Sequence, residues 1–182
     1  MASQWQFAIE TLRLQLRPML PDDTDAIVQI FADPLATSDA SFTREQAERW
    51  VLRNLDHQFR HGYGLFSVIL KSEGLLIGDC GLEWMEMEGV KVTELGYDFR
   101  RQYWNKGYAT EAATAVRDYS FQTLGLTQLV SLIRVGNHAS QRVAQKVGME
   151  LLGEIIRYDR PYWKYGIERE VELSERSWTP PS

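Results

Sequence analysis

The 182-residue sequence predicts an α/β domain built on one mixed, mostly antiparallel sheet of about six to seven strands with about four helices. Three observations carry that expectation. Short runs with the alternation or apolar density of strands recur along the chain. Between them lie segments whose apolar residues repeat at the helical spacing behind capping residues. Their order, β-α-α-β-β-β-α-β-α-β-β, mixes hairpin-linked strands with helical connections, as neither an all-helical nor an all-β fold does.

Residues 12–19, LRLQLRPM, alternate apolar and polar and end near Pro18, as a half-buried strand does. In PDDTDAIVQIFAD, Asp22 or Asp23 is placed to cap a helix with the stripe Ile27, Ile30 and Phe31. The small-residue segment 34–42 reads as a mobile loop beside a site. A second helix starts at Thr43, with Gln46 completing a capping box and the stripe Ala47, Val51, Leu55 and Phe59. Strands LFSVIL and LLIGDCGL flank the turn KSEG, and KVTELGYDF (91–99) follows. A long helix runs to about Leu124 with Tyr108, Ala112, Val116 and Tyr119 on one side. TQLVSLIRV is a strand, and NHASQRVAQKV a short helix stopped by Gly148. ELLGEIIRYDRPYW (150–163) and KYGIEREVEL (164–173) close the chain as strands, and 174–182 frays. No linker or repeat interrupts 1–182, so one domain with a core over about 10–173 is expected.

Twenty basic against twenty-five acidic residues give a formal charge of −5, which argues against a general nucleic-acid binder. The single cysteine, Cys80, excludes an intrachain disulfide framework and a cysteine-rich zinc site, and its apolar surroundings predict a packed thiol. No basic n-region precedes an apolar stretch, and no apolar run nears the roughly 20 residues that span a bilayer. A cytoplasmic protein without nucleic-acid or membrane partners is expected.

The stretch QYWNKGYATEA (102–112) joins a strand to a helix. A helix start presents unpaired N–H groups and the positive end of the peptide dipoles, an anion site. Gly107 permits close approach of a phosphate, Lys106 adds a cation, and Ala109, Ala112 and Ala113 keep the first turns thin. It lacks the P-loop and dinucleotide-fold signatures, so an ordinary tight loop explains these residues equally well. His57, His61 and His138 lack metal-protease spacing, and His57 and His61, four apart, are expected as a surface pair.

At this stretch the chain resembles the GCN5-related N-acetyltransferase (GNAT) family, in its ribosomal-protein N-terminal acetyltransferase (RimJ/RimL-like) branch. The position of the family loop Q/R-x-x-G-x-G/A is occupied by Trp104, Asn105, Lys106, Gly107, Tyr108 and Ala109, which resemble the branch form W-G-K-G-Y-A-T-E-A except for Asn105 in place of a glycine. ETLRLQLRPMLPDDTDAI, TELGYDF and NHASQRVAQKVGM resemble other elements of the branch, in the right order.

The resemblance implies acetyl-CoA as co-substrate, no metal, and a sheet splayed between its fourth and fifth strands. Backbone groups of Tyr97, Asp98 and Phe99 would then hold the pantetheine arm, with Asn137 opposite, and the 104–109 loop would take the pyrophosphate. The tyrosine acid of many members is replaced by Ala144 at the matching position, which makes Ser140 the candidate to assist the leaving thiolate; a plain cap of the helix turn is the other reading. Glu94, on a strand face with Val92, Gly96 and Asp98, is the first candidate base, with Glu83 or a water as alternatives. Trp84 and the RYDRPYW segment are candidates for an acceptor groove.

The expected activity is direct acetyl transfer to a primary amine, such as a protein N-terminal α-amine, in a ternary complex. The alternatives are a small-molecule amine acceptor (polyamine, amino acid or antibiotic) and a non-catalytic acyl-CoA sensor or interaction domain. A homodimer is compatible with either.

Overall fold

The structure, a computed structural model, describes residues 8–32, 42–87 and 89–169. In chain order these form strands β1 (Ile9–Glu10) and β2 (Leu14–Pro18) and helices α1 (Thr24–Phe31) and α2 (Arg44–His61). Strands β3 (Leu65–Leu70), β4 (Leu75–Met87) and β5 (Val90–Phe99) follow, then α3 (Tyr108–Gln122), β6 (Gln128–Arg134), α4 (His138–Lys146), β7 (Glu150–Arg157) and β8 (Arg160–Glu168). The eight strands make one sheet in the order β1-β2-β3-β4-β5-β6-β8-β7. All neighbours are antiparallel except β5 and β6. The strand beyond the expected number is β1, two residues that pair with β2.

Neighbouring strand residues separate into two cores. Leu65 and Leu76 pack with Ile27, Ile30, Ala47 and Val51 of α1 and α2. Phe66 and Ile77, one position on, pack with Ala112, Val116 and Ala144 of α3 and α4. Because side chains alternate across a strand, the helix pairs cover opposite faces of the sheet.

The α2 start is the expected capping box. The Thr43 hydroxyl accepts the Gln46 N–H, and the Gln46 side chain accepts the Thr43 N–H at 2.7 Å. Its inner stripe differs from expectation: Ala47, Val51, Asn54 and Gln58 are buried, while Phe59 is 81% exposed. Asn54 and Gln58 are inside because they pair with the backbone of Leu65, at 2.9 to 3.0 Å.

At α1, Asp23 holds the N-cap position but its carboxylate makes no cap bond. It takes a two-pronged bond from Arg17 at 2.6 and 2.7 Å, a bond from the Ser67 hydroxyl at 2.7 Å and one from the Leu20 N–H at 2.9 Å. The last hairpin turns at Tyr158-Asp159, both left-handed at φ 52° and 57°, rather than between Trp163 and Lys164. Residues 170–173 and the expected tail lie outside the described residues, as does most of the loop 34–42. α2 runs on through His61 and is stopped by Gly62, left-handed at φ 75°.

β5 and β6 meet at the pair Glu94 and Val130, and β5 continues to Phe99 without a ladder partner on that side. This is the expected splay, and it positions the site.

Candidate active site

A cavity of about 250 Å³ opens beside the free end of β5, between the start of α3 and the first turns of α4. A 3-10 turn, Arg101–Tyr103, leads from β5 toward α3. Tyr103 is buried and its hydroxyl donates to Glu73 at 2.6 Å, while the Trp104 indole N–H donates to the Phe99 carbonyl at 2.7 Å. These two aromatics pin the loop by its near end, which fixes the backbone that follows.

Asn105 then adopts φ 59°, the left-handed conformation that asparagine tolerates better than most residues. Gly107 follows at φ 82° as the N-cap of α3, and it offers no side chain to bond the first-turn N–H groups. The positive end of the helix therefore lies against the cavity without a capping side chain.

Tyr97, Asp98, Phe99, Trp104, Asn105, Gly107, Tyr108 and Ala109 all line this one cavity, with Asn137 and Ser140 on the α4 side. Asn137 caps α4 by accepting the Ser140 N–H at 3.1 Å. The Tyr97 hydroxyl donates to the Ser140 carbonyl at 2.8 Å, tying the two walls together. Lys106 is not among the lining residues: its ammonium sits 5.3 Å from the centre of the Tyr103 ring. Arg142 and Lys146, one turn apart on α4, do line the cavity and were not anticipated. Their i,i+4 spacing on a helix already assigned to the site was the available signal.

Glu94 stands at the point where β5 and β6 part, paired in register with Glu83 on β4. Its side chain is 17% exposed. One oxygen accepts the Leu132 N–H at 3.2 Å, and the other lies 3.9 Å from the Arg157 guanidinium. Burial, aided by the charges of Glu83 and Asp98, raises its pKa to about 7 against the opposing pull of Leu132 and Arg157. Two positions along the same face, Asp98 is pushed up to about 6 by burial and by Glu83. Asp79, in register with Asp98, is fully buried with neither carboxylate oxygen hydrogen-bonded, and burial raises it well above the usual carboxylate range.

Cys80 is buried, as its sequence context indicates, and burial pushes its thiol up. Of the expected surface histidine pair, His57 is half-buried and held at both nitrogens. Nδ1 pairs with the Tyr63 carbonyl at 2.9 Å, and Nε2 accepts the Trp84 N–H at 2.8 Å. His61 instead stacks on Trp84 at 5.3 Å. His57 works as a splice between the end of α2 and the free edge of β4. Among the described residues no group of three His, Cys, Asp or Glu side chains could hold a metal ion. No helix of the described residues is long and apolar enough to cross a membrane.

The model of the acetyltransferase (GNAT) domain matches residues 13–150, a span that includes the loop, the splay and α4. The chain belongs to the GNAT acetyltransferase family. It is 34% identical over 158 residues to the uncharacterized protein YkkB of Bacillus subtilis, covering 85% of this chain and 92% of that one. The fold is also that of an acetyltransferase from Agrobacterium tumefaciens, with a TM-score of 0.78 and 29% identity over 90% of this chain and 95% of that one. Mycobacterium smegmatis RimJ, solved with a CoA-disulfide, shares the fold at a TM-score of 0.74 and 21% identity, covering 90% and 88% of the two chains.

GNAT acetyltransferases use acetyl-CoA, and the cavity's make-up suits that ligand. Phe99, Tyr103 and Val143 offer apolar wall to the pantetheine arm. The uncapped start of α3 and the cations Arg142 and Lys146 suit its phosphates.

Proposed function

We propose that this chain transfers the acetyl group of acetyl-CoA directly to a primary amine, in a ternary complex built around the splay of β5 and β6. The observation that carries the reading is the convergence on one cavity of the free end of β5, the uncapped start of α3 and the first turn of α4. The loop 104–109 takes the pyrophosphate, with Lys106 at its rim. Tyr97, Asp98 and Phe99 hold the pantetheine arm through their backbone, and Asn137 steadies it from α4. Acetyl-CoA supplies an activated acyl carbon on a good leaving group.

The chain's own residues handle the protons. Glu94 accepts the proton released as the amine nitrogen bonds to the acyl carbon. As the carbon–sulfur bond breaks, Ser140 in the first turn of α4 donates to the sulfur, where the helix dipole also favours negative charge. Ala144, one turn further, is buried in the core and contributes no acid.

A carboxylate held near 7 matches an α-amine, whose ordinary pKa is about 8, better than a lysine at about 10.4. This favours an α-amine acceptor such as a protein N-terminus, and agrees with the likeness to the ribosomal-protein branch. The test is thiol release from acetyl-CoA across peptides with free and blocked N-termini, lysine side chains and small amines. Turnover confined to free α-amines supports the reading. Turnover preferring polyamines or lysine overturns the acceptor assignment, and CoA binding without turnover on any amine overturns the activity.

A further inference from the structure

The loop at the start of α3 is held from outside by residues that no part of the proposed chemistry uses. The connection between β1 and β2 passes beside it and presents Thr11 and Arg13. Glu111, in the first turn of α3, accepts three bonds from this connection: from the Thr11 hydroxyl at 2.6 Å, the Arg13 N–H at 2.8 Å and Arg13 Nε at 2.6 Å. The same guanidinium donates through Nη1 to the Lys106 carbonyl at 2.9 Å and lies 4.4 Å from the centre of the Tyr108 ring. A Cβ built on Gly107 would stand 3.4 Å from Arg13 Nη2. One side chain thus touches the loop at three consecutive residues.

We propose that Arg13 and Glu111 form a charge-compensated clamp that sets the affinity for the donor's phosphates, with Arg13 as the positioning residue. Two effects combine. The guanidinium turns the Lys106 carbonyl outward, so that the neighbouring N–H groups present themselves to the phosphate in place of a carbonyl dipole. It also neutralises Glu111, whose neighbour Thr110 lines the cavity. A carboxylate in the first turn favours a bare helix start, but beside a bound pyrophosphate an unpaired one competes for the same N–H groups and repels the ligand. Against the burial that raises it, the bonds from the Thr11 hydroxyl and then from the Arg13 N–H and guanidinium hold the Glu111 carboxyl below its ordinary range. The clamp rests on the reading that this cavity takes CoA. It also explains β1: two strand residues suffice to bring Thr11 and Arg13 against α3.

The test is calorimetric titration of CoA into the wild type, Arg13→Ala, Glu111→Gln and the double variant, with melting temperature followed in parallel. Loss of a charge-assisted network at a phosphate site is expected to weaken CoA by about tenfold or more in Arg13→Ala. Adding Glu111→Gln should recover part of that loss, because it removes the carboxylate that Arg13 leaves uncovered. The loss in the single variant should also shrink as salt rises. In turnover, KM for acetyl-CoA should rise while kcat at saturating donor stays within about threefold. A purely structural strut would behave otherwise, with the double variant no better than the single. If Arg13→Ala does not fold, Arg13→Lys carries the test, since it keeps the charge but cannot span both Glu111 and Lys106. It should bind CoA more weakly than the wild type. CoA affinity within twofold of wild type in Arg13→Ala, or no recovery in the double variant, overturns the clamp alone. Failure of the wild type to bind CoA overturns the donor reading and the clamp with it.

Discussion

Glu94→Gln removes one carboxylate from the acidic face where β5 leaves β6 and keeps its shape and its ability to accept the Leu132 N–H. Moving a carboxyl from its ordinary 4.5 to about 7 corresponds to a penalty on the ionised form of about 3 kcal/mol. The sign follows from linkage. Below pH 4.5 the group is protonated in the folded and unfolded chain alike, and its contribution to stability is intact. Between 4.5 and about 7 the unfolded chain gives up its proton while the folded one retains it, so stability is lost progressively and stays lost above 7. Glutamine carries no such penalty. The variant should therefore match the wild type near pH 4 and exceed it at pH 8, by an amount that reaches about 3 kcal/mol if Glu94 is the sole group affected. Urea denaturation across that range measures it. Activity should move in the opposite direction. The wild type should show kcat/KM rising as pH passes through about 7, and the variant should lose both that limb and most of its rate. Asp98, Glu83 and Arg157 act on the same carboxyl, which makes the comparison of variant with wild type at each pH the decisive quantity. A variant that keeps the limb, or is no more stable than wild type at pH 8, refutes the assignment of Glu94 as a buried, pKa-raised base.

Asp23→Ala removes the partner of a half-buried Arg17 and the acceptor of the Ser67 and Leu20 bonds, so a loss of about 3–5 kcal/mol is expected in urea denaturation. A loss below about 1 kcal/mol would place that network among weak surface pairs. Asn105→Gly should retain CoA affinity and stability. Asn105→Val, a β-branched residue forced to φ 59°, should lose about 1–2 kcal/mol and bind CoA more weakly, and equal behaviour of the two would contradict the left-handed loop. Arg142→Ala and Lys146→Ala should each weaken CoA severalfold at low salt and less at high salt, as titration calorimetry can show, and unchanged affinity would remove α4's cations from the phosphate site.

Features coded within a few residues were legible in the sequence. The Thr43–Gln46 box, the short helix within NHASQRVAQKV and the strand LFSVIL depend on local chemistry and came out as read. The conformation of the loop 102–112 was legible for the same reason, since Asn105 and Gly107 are residues that tolerate the left-handed backbone they adopt there. Where reading failed, a physical competitor explains it. A helical residue advances about 100°, so each four-residue step overshoots a turn by about 40°. A stripe read as Ala47, Val51, Leu55, Phe59 therefore drifts off the buried face, while Ala47, Val51, Asn54, Gln58 stays on it. Two amides inside a core gave no hydrophobic signal, because their burial depends on a strand end they bond. The hairpin turn at Tyr158-Asp159 lacks the usual glycine, which hid it in a long strand-like run. Arg13 and Glu111 lie 98 positions apart, and only the pairing of β1 with β2 and the docking of α3 bring them together.

The donor and acceptor halves of the site differ in kind. The proposed donor half is a local motif, but the raised pKa of Glu94 comes from where strand register places and buries it. Asp79, Gly81 and Glu83 on β4 stand opposite Asp98, Gly96 and Glu94 on β5. At Gly81 a Cβ would meet the Gly64 carbonyl oxygen at 2.2 Å, so this position has room only for glycine, whereas at Gly96 it would meet nothing closer than Leu65 Cδ2 at 3.9 Å. Asp79 is fully buried, and burial raises its pKa well above the usual carboxylate range. Glu94, across the strands from Glu83, keeps 17% of its side chain exposed and is raised to about 7. Burial does most of that lifting, and the charge of Glu83 across the strands adds to it. A register slip of one residue would carry Glu94 to the opposite face together with Tyr97, Asp98 and Phe99, which line the cavity, and would shift the Phe99 carbonyl that anchors Trp104. The change that separates the proposed base from the proposed donor site is therefore a substitution at Glu94 that keeps the register, because Glu94 is not among the residues lining the cavity.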